Sequence, residues 1–255
     1  MNFNLMLELA KRDFIERYSG SALGFIWSFI HPLITILIYM IVFGNIMGAR
    51  LPGMPSIYGY GIYLVSGLIF WLPFSNTVSR ASTVFIEKKN IIAKIHVDLP
   101  SLPLFIVISE SVTFVVTLVI FTSILLFTGY PLSIYFPLIV IIYLFQQVFA
   151  YALGFFMGMF VVFLRDLKEV VIIGLQIWFW FTPIVYVFDI LPPGAQQILI
   201  WNPEFVIISA SHDIFIYQTL PSIYNLSLVL VIGVLLVVID LILFKKLEKD
   251  IRDFI

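Results

Sequence analysis

The chain has 255 residues, of which 62% are hydrophobic and 11% charged, with a net charge of −1 and no cysteine. A soluble domain carries roughly 25% charged residues, so a water-soluble globule is excluded and lipid is the natural surrounding of this chain. The lack of cysteine removes disulfides, thiolate metal sites and iron–sulfur clusters from consideration.

The start, MNFNLMLELAKRDFIERY, lacks a basic segment followed by an apolar core and is expected to be retained in the cytosol. Residues 3–18 are predicted to be an amphipathic helix lying in the membrane interface. Phe3, Met6, Leu7, Ala10, Phe14 and Tyr18 fall on one face, Glu8, Arg12 and Glu16 opposite, with Lys11 and Arg17 at the flanks. A helix packed on a partner would show the same pattern.

A bilayer core of ~30 Å needs ~20 helical residues. Six apolar runs meet this need: Ile30–Met47, Tyr58–Val78, Leu102–Phe127, Tyr135–Leu164, Val170–Phe188 and Ile223–Phe244. Gly154 and Gly158 in the fourth form a small-xxx-small spacing, equally suited to dimerisation and to packing within the chain.

Positive charge orients these runs. Lys11, Arg12 and Arg17 precede the first, Arg80, Lys88, Lys89 and Lys94 follow the second, and Arg165 and Lys168 follow the fourth. Lys245, Lys246, Lys249 and Arg252 follow the last, so of the 14 Lys and Arg only Arg50 lies on the opposite side. The charge bias predicts an even number of spans with both termini cytosolic.

Two connecting stretches stand out. In Phe85–Pro103, FIEKKNIIAKIHVDLPSLP, Lys88, Lys89 and Lys94 accompany Ile91, Ile92 and Ile95 at helical spacing. It reads as a short cytoplasmic helix with an apolar docking face, or as a basic loop that only sets topology. Asp189–Ser222 carries no Lys or Arg yet stays apolar. Asn202-Pro203-Glu204 is a helix start, with a capping side chain, Pro in the first turn and an acid, and Pro192-Pro193 can start another. Two short helices re-entering the outer leaflet are expected here, because Ile198, Leu199, Ile200 and Trp201 would otherwise face water.

No G-x-x-x-x-G-K-[ST] loop occurs, the histidines His31, His96 and His212 have no paired ligand spacing, and no nucleophile–base pair is apparent. The chain is therefore not expected to be an enzyme by itself or to hold a metal. Of the charges inside apolar runs only Glu110 and Asp240 qualify as relay groups. Both fall in the cytosolic half, and Asp240 can be satisfied by Lys245 or by the membrane interface. Two such residues make a poor proton relay.

Aromatic residues make up 17% of the chain. Consecutive rings at Trp178-Phe179-Trp180-Phe181 point in different directions round a helix, so some must face protein or a cavity. Ring faces combined with the polar tips of Tyr and Trp suit a sliding sugar chain. On this basis Tyr39, Phe43, Trp71, Phe74, Trp178, Phe181 and Tyr186 are the candidate channel lining.

Arg17-Tyr18, Ser21, Leu23-Gly24, Trp27 and Pro32 together resemble the RY-x-x-S-x-L-G-x-x-W motif of type-2 ABC-transporter permeases of the polysaccharide-export branch. Arg165-Asp166, Pro183 and Tyr186 in TPIVY, and Asn202-Pro203 follow in the family's order. The resemblance implies one all-α permease domain over 1–255 with six transmembrane helices. It further implies a homodimeric channel driven by two separate ATPase subunits, which hold the ATP and Mg; no cofactor is expected on this chain. Residues 1–29 would be the interfacial helix and the approach to the first span, with Arg12, Arg17, Tyr18 and Trp27 as its site residues. Residues 85–103 would be the coupling helix seated on the ATPase through Glu87, Lys88, Lys89, Ile91, Ile92, Lys94, Ile95 and His96. The chain is thus expected to export a lipid-linked, O-antigen-like polysaccharide across the bacterial inner membrane. The rival readings are an exporter of a drug or small lipid, and a passive channel or scaffold without a motor.

Overall fold

The computed structural model describes residues 3–18, 21, 23–42, 59–94 and 98–254, and every regular element among them is helical. In chain order these are α1 (Phe3–Tyr18), α2 (Trp27–Tyr39), α3 (Gly59–Glu87), α4 (Lys89–Ile92), α5 (Leu104–Phe127) and α6 (Leu138–Val161). They continue with α7 (Leu167–Trp180), α8 (Pro193–Leu199), α9 (Pro203–His212) and α10 (Ile223–Phe254).

Helix α3 is the axis of the fold. Its sequence mixes large apolar residues with Gly61, Ser66, Gly67, Ala81 and Ser82, so neighbours approach it closely on most sides, and its buried residues run from Gly59 to Phe85. Its main neighbour is α6, and α10 packs on the far side of α6. The contact explains Gly154 and Gly158. A Cβ at Gly154 would lie 2.5 Å from that of Ala81, and one at Gly158 would lie 2.9 Å from the Ala81 carbonyl oxygen. The small-xxx-small spacing therefore serves packing within the chain.

Among the described residues four helices are long and apolar enough to cross a membrane: Gly59–Glu87, Leu99–Phe127, Leu138–Val161 and Ile223–Phe254. Two expected spans differ. The first is helical from Trp27 through Val42, and its remainder to Met47, with Phe43, lies outside the described residues. The fifth, expected to run to Phe188, ends at Trp180 after 14 residues, about 21 Å at 1.5 Å per residue. Pro183, which has no N–H to continue a helix, sits in the turn that follows. The second and sixth run past their expected ends, α3 by about two and a half turns to Glu87 and α10 into a basic extension reaching Phe254.

Helix α1 has the expected bounds but not quite the expected face. Met6, Leu9 and Ala10 are buried, whereas Leu7 is 42% exposed. The stripe packs on α5 of the same chain and joins a core cluster with Val84, Phe85, Leu102 and Phe105. On the other side, α8 and α9 begin where the sequence places them, after Pro192 and at Asn202. The elbow between them leaves Ile198 and Trp201 largely exposed.

Candidate functional site

Four charged side chains from three helices meet where α1 crosses α3 and α5. Arg17 donates to Glu110 Oε1 at 2.5 Å, to Ser109 Oγ at 3.1 Å and to Asp13 Oδ2 at 3.2 Å. Arg80 donates to Glu110 Oε1 at 2.7 Å and also to Asp13 Oδ1. The Ser109 hydroxyl donates to Asp13 at 2.7 Å, and the Asn76 amide reaches Glu110 Oε2 at 3.3 Å. Two guanidinium groups thus face two carboxyl groups, with Glu110 fully buried at the centre of the cluster. Burial pushes the Asp13 carboxyl up, but the Ser109 hydroxyl and the two arginines outweigh it and hold the group below its ordinary value. The Arg17 guanidinium, although desolvated, is held above its ordinary value by Glu110 and Asp13.

Arg17 was legible in the sequence as part of a motif; its partners were not. Asp13 and Arg17 stand four apart on one helix, which is the one local signal of the network. Arg12 is exposed and pairs with Glu16 at 2.6 Å, outside the cluster. Trp27 donates its indole N–H to Ser21 at 2.9 Å, and the Tyr18 side chain lies outside the described residues. Asp240 is buried in α10. No partner for its carboxylate oxygens occurs among the described residues, so the expected pairing with Lys245 is not formed there.

The aromatic residues separate into two groups. Phe74 is fully buried, stacked on Phe149 and edge-on to Trp178, and Trp71 packs on Phe74 and Phe179. Phe74 is therefore a core residue with no surface to offer a channel, because α3 turns that face toward α6. Trp178 is half-buried in the same cluster. Its N–H is taken by Asn202 Oδ1 at 2.9 Å, the same oxygen that caps α9 by accepting from Glu204 N–H at 3.0 Å. The Asn202 amide donates to Thr182 Oγ1 at 3.0 Å, so one side chain ties the end of α7 to the start of α9. The TPIVY turn is held by α3: Tyr60 donates to the Val185 carbonyl, and Tyr63 to those of Pro183 and Tyr186. Tyr186 itself donates to the Trp180 carbonyl at 2.9 Å.

Exposed rings remain at Phe181, 63% exposed, and at Trp180, which the candidate set omitted. Trp180 and Phe179 wall an open cleft of about 450 Å³ between α3 and α7, with the edge of Trp71 at its back. Its polar lining is Ser75, Asn76, Ser79 and Gln176, all uncharged. Tyr39 lines a second groove, between α2, α3 and α5, on the neighbouring face of α3 and sharing Asn76 with the cleft.

The stretch 85–103 is only in part a separate helix. Phe85 to Glu87 complete α3, and α4 is four residues long. Lys88 lies 5.4 Å from the centre of the Phe105 ring, and Ile91 and Ile92 pack half-buried against the chain's own core. Their apolar face is thus partly used internally, while Glu87, Lys89 and Lys94 are exposed. Ile95 and His96 lie outside the described residues.

The profile of the ABC-2 type transporter family matches residues 4–216, from α1 into the turn after α9. The chain belongs to the ABC-2 type transporter family. This permease is 29% identical over 250 residues to an O-antigen export system permease protein RfbA of Klebsiella pneumoniae, covering 96% of this chain and 93% of the relative. It is 28% identical over 247 residues to a second protein so named from the same organism, covering 96% and 93%. It is 25% identical over 256 residues to the protein so named of Myxococcus xanthus, covering 98% and 95%. The matched region takes in the charge cluster, the α3–α7 cleft and the Asn202 junction, so these are features of the permease proper.

Proposed function

We propose that this permease is the membrane subunit of an ATP-driven exporter of a lipid-linked, O-antigen-like polysaccharide. The observation that carries this reading is the end-to-end similarity to three O-antigen export permeases. Two copies would form the channel and two ATPase subunits would drive it, seated on the exposed lysines beside α4. The distribution of Lys and Arg supports cytosolic termini and an even number of spans; the six apolar runs make that number six, and the relatives suggest the bacterial inner membrane. In that frame α2 and α7 complete spans one and five, while α8 and α9 re-enter the outer leaflet.

The α3–α7 cleft supports a carbohydrate cargo. Ring faces at Phe179 and Trp180 stand beside serine, asparagine and glutamine side chains. Such a wall binds CH-rich faces and hydroxyls weakly and without fixed charge, so a chain can advance along it. The test is complementation of a strain lacking an O-antigen export permease, with the cognate ATPase gene supplied. Surface polysaccharide should return only when both genes are present. Return of polysaccharide without any ATPase, or co-purification of no ATPase, would defeat the motor-driven reading.

A further inference from the structure

The groove between α2, α3 and α5 encloses about 420 Å³, within the range of ~300–1,000 Å³ seen for small-molecule sites. Its lining is graded. Helices α2 and α5 rise and α3 descends, so Ser28, His31, Asn76 and Glu110 gather at the end next to α1. The walls beyond are mainly Ile36, Leu68, Ile69, Leu72 and Phe114, with Tyr39 at the far end; the Thr35 and Thr117 hydroxyls among them are turned to the carbonyls of His31 and Thr113 on their own helices. From Ser28 to Tyr39 the groove follows α2 for about 16 Å at 1.5 Å per residue. Helix α2 leans on α5 and touches α3 little, which leaves the gap. Inside it the Thr113 hydroxyl is buried with no partner among the described residues.

We propose that this groove holds one chain of a cytosolic-leaflet phospholipid, its head group at the Ser28–His31–Asn76 end. A lipid in that leaflet has the same polarity along the membrane normal as the groove, polar at the cytosolic side and apolar toward the midplane. Apolar walls left empty forfeit their dispersion contacts, and in a bilayer the filling material is the solvent itself, present in large excess. The groove and the α3–α7 cleft share one lining residue, Asn76, and the lipid chain is proposed for the apolar part of the groove, which the cleft does not reach. That placement rests on the orientation proposed above.

The probe is phosphatidylethanolamine carrying a diazirine midway along one chain, in nanodiscs of the full-length permease with its ATPase. Photolysis should place adducts on Ile36, Ile69 and Thr113 as well as on the outward positions Ile34, Ile38, Val115 and Val119. Thr113→Phe and Leu72→Trp each put a ring into the groove. Both should lower groove adducts at least tenfold and leave outward adducts unchanged. Leu72 is partly exposed, so this second variant guards against misfolding of the first. Adducts confined to the outward positions would overturn the proposal. So would displacement of the groove adducts by a small mole fraction of polyprenyl phosphate, which would give the groove to a transported lipid. Orientation is checked separately by cysteine accessibility at Lys89→Cys and Gln197→Cys, so a failed topology and an empty groove leave different signatures.

Discussion

Arg17 and Glu110 stand 93 residues apart in the chain and 2.5 Å apart in space. That contact fixes α1 to α5, and Arg80, reaching both Glu110 and Asp13, extends the fixation to α3.

Glu110→Gln leaves two guanidinium groups facing one carboxylate. Removing one partner of a buried ion pair costs about 3–5 kcal/mol, so the variant should melt earlier and expose α1 to protease. Arg17→Ala combined with Glu110→Gln should cost less than the sum of the two changes, because the residues share one network. Thermal melting of the purified permease checks both.

The Asp13 carboxyl is held below its ordinary 3.8, and the sign of the pH effect follows. A depressed carboxylate contributes stability that is complete above its unfolded value and is lost as pH falls through the lower folded value. Docking of α1 should therefore be flat across the physiological range and weaken only in strong acid. Protease sensitivity of α1 that rises already between neutral and mildly acidic pH would contradict this.

Asn202→Ala removes a helix cap, worth about 1 kcal/mol, and also strands the Trp178 N–H, while the Thr182 hydroxyl keeps its bond to the Trp178 carbonyl. Asn202→Asp keeps an acceptor for Trp178 and for the α9 cap and loses only the bonds the amide donates to Thr182 and to the Phe181 carbonyl. The alanine variant should be clearly less stable than the aspartate variant in melting experiments. Equal losses would mean that the amide donor, not the acceptor, holds the junction.

Burial separates the two aromatic groups by phenotype. Phe74→Ala empties a core site, at a cost of about 3–5 kcal/mol, so its protein level and its export should fall together. Trp180→Ala touches an exposed ring, so protein level should hold while export falls. Immunoblots set beside surface-polysaccharide measurements distinguish the two.

At the proposed ATPase contact the exposed charges are the informative positions. Lys89→Glu and Lys94→Glu should reduce ATPase co-purification several-fold without loss of membrane insertion. Ile91→Asp should instead lower the permease level itself, since Ile91 packs on the chain's own core.

Much of the architecture was legible because it depends on local pattern. The bounds of α1 and the starts of α8 and α9 follow from amphipathic spacing, proline and a capping asparagine. The end of α7 was misread because apolar residues continue through TPIVY, and hydropathy does not register the missing N–H of Pro183. The site was less legible for a different reason. Periodicity says that a helix has a face, but not which neighbour meets it. Asp13, Arg80 and Glu110 therefore looked like separate charges, and Phe74 was not separable from Trp180. Ile91 and Ile92 are legible as an apolar pair, while their packing on the chain's own core with Phe85 and Leu102 is a relation no local window contains.

The charge cluster also sets an order of events during synthesis. Asp13 and Arg17 leave the ribosome long before Arg80, and Arg80 before Glu110, since chains emerge from the N-terminus. Until α5 is made, α1 has no complete set of partners and cannot sink into hydrocarbon. Within α1 the Asp13–Arg17 pair, four residues apart, is the one local partner these two charges have. Docking of α1 on α3 and α5 is completed only by α5, which brings Glu110.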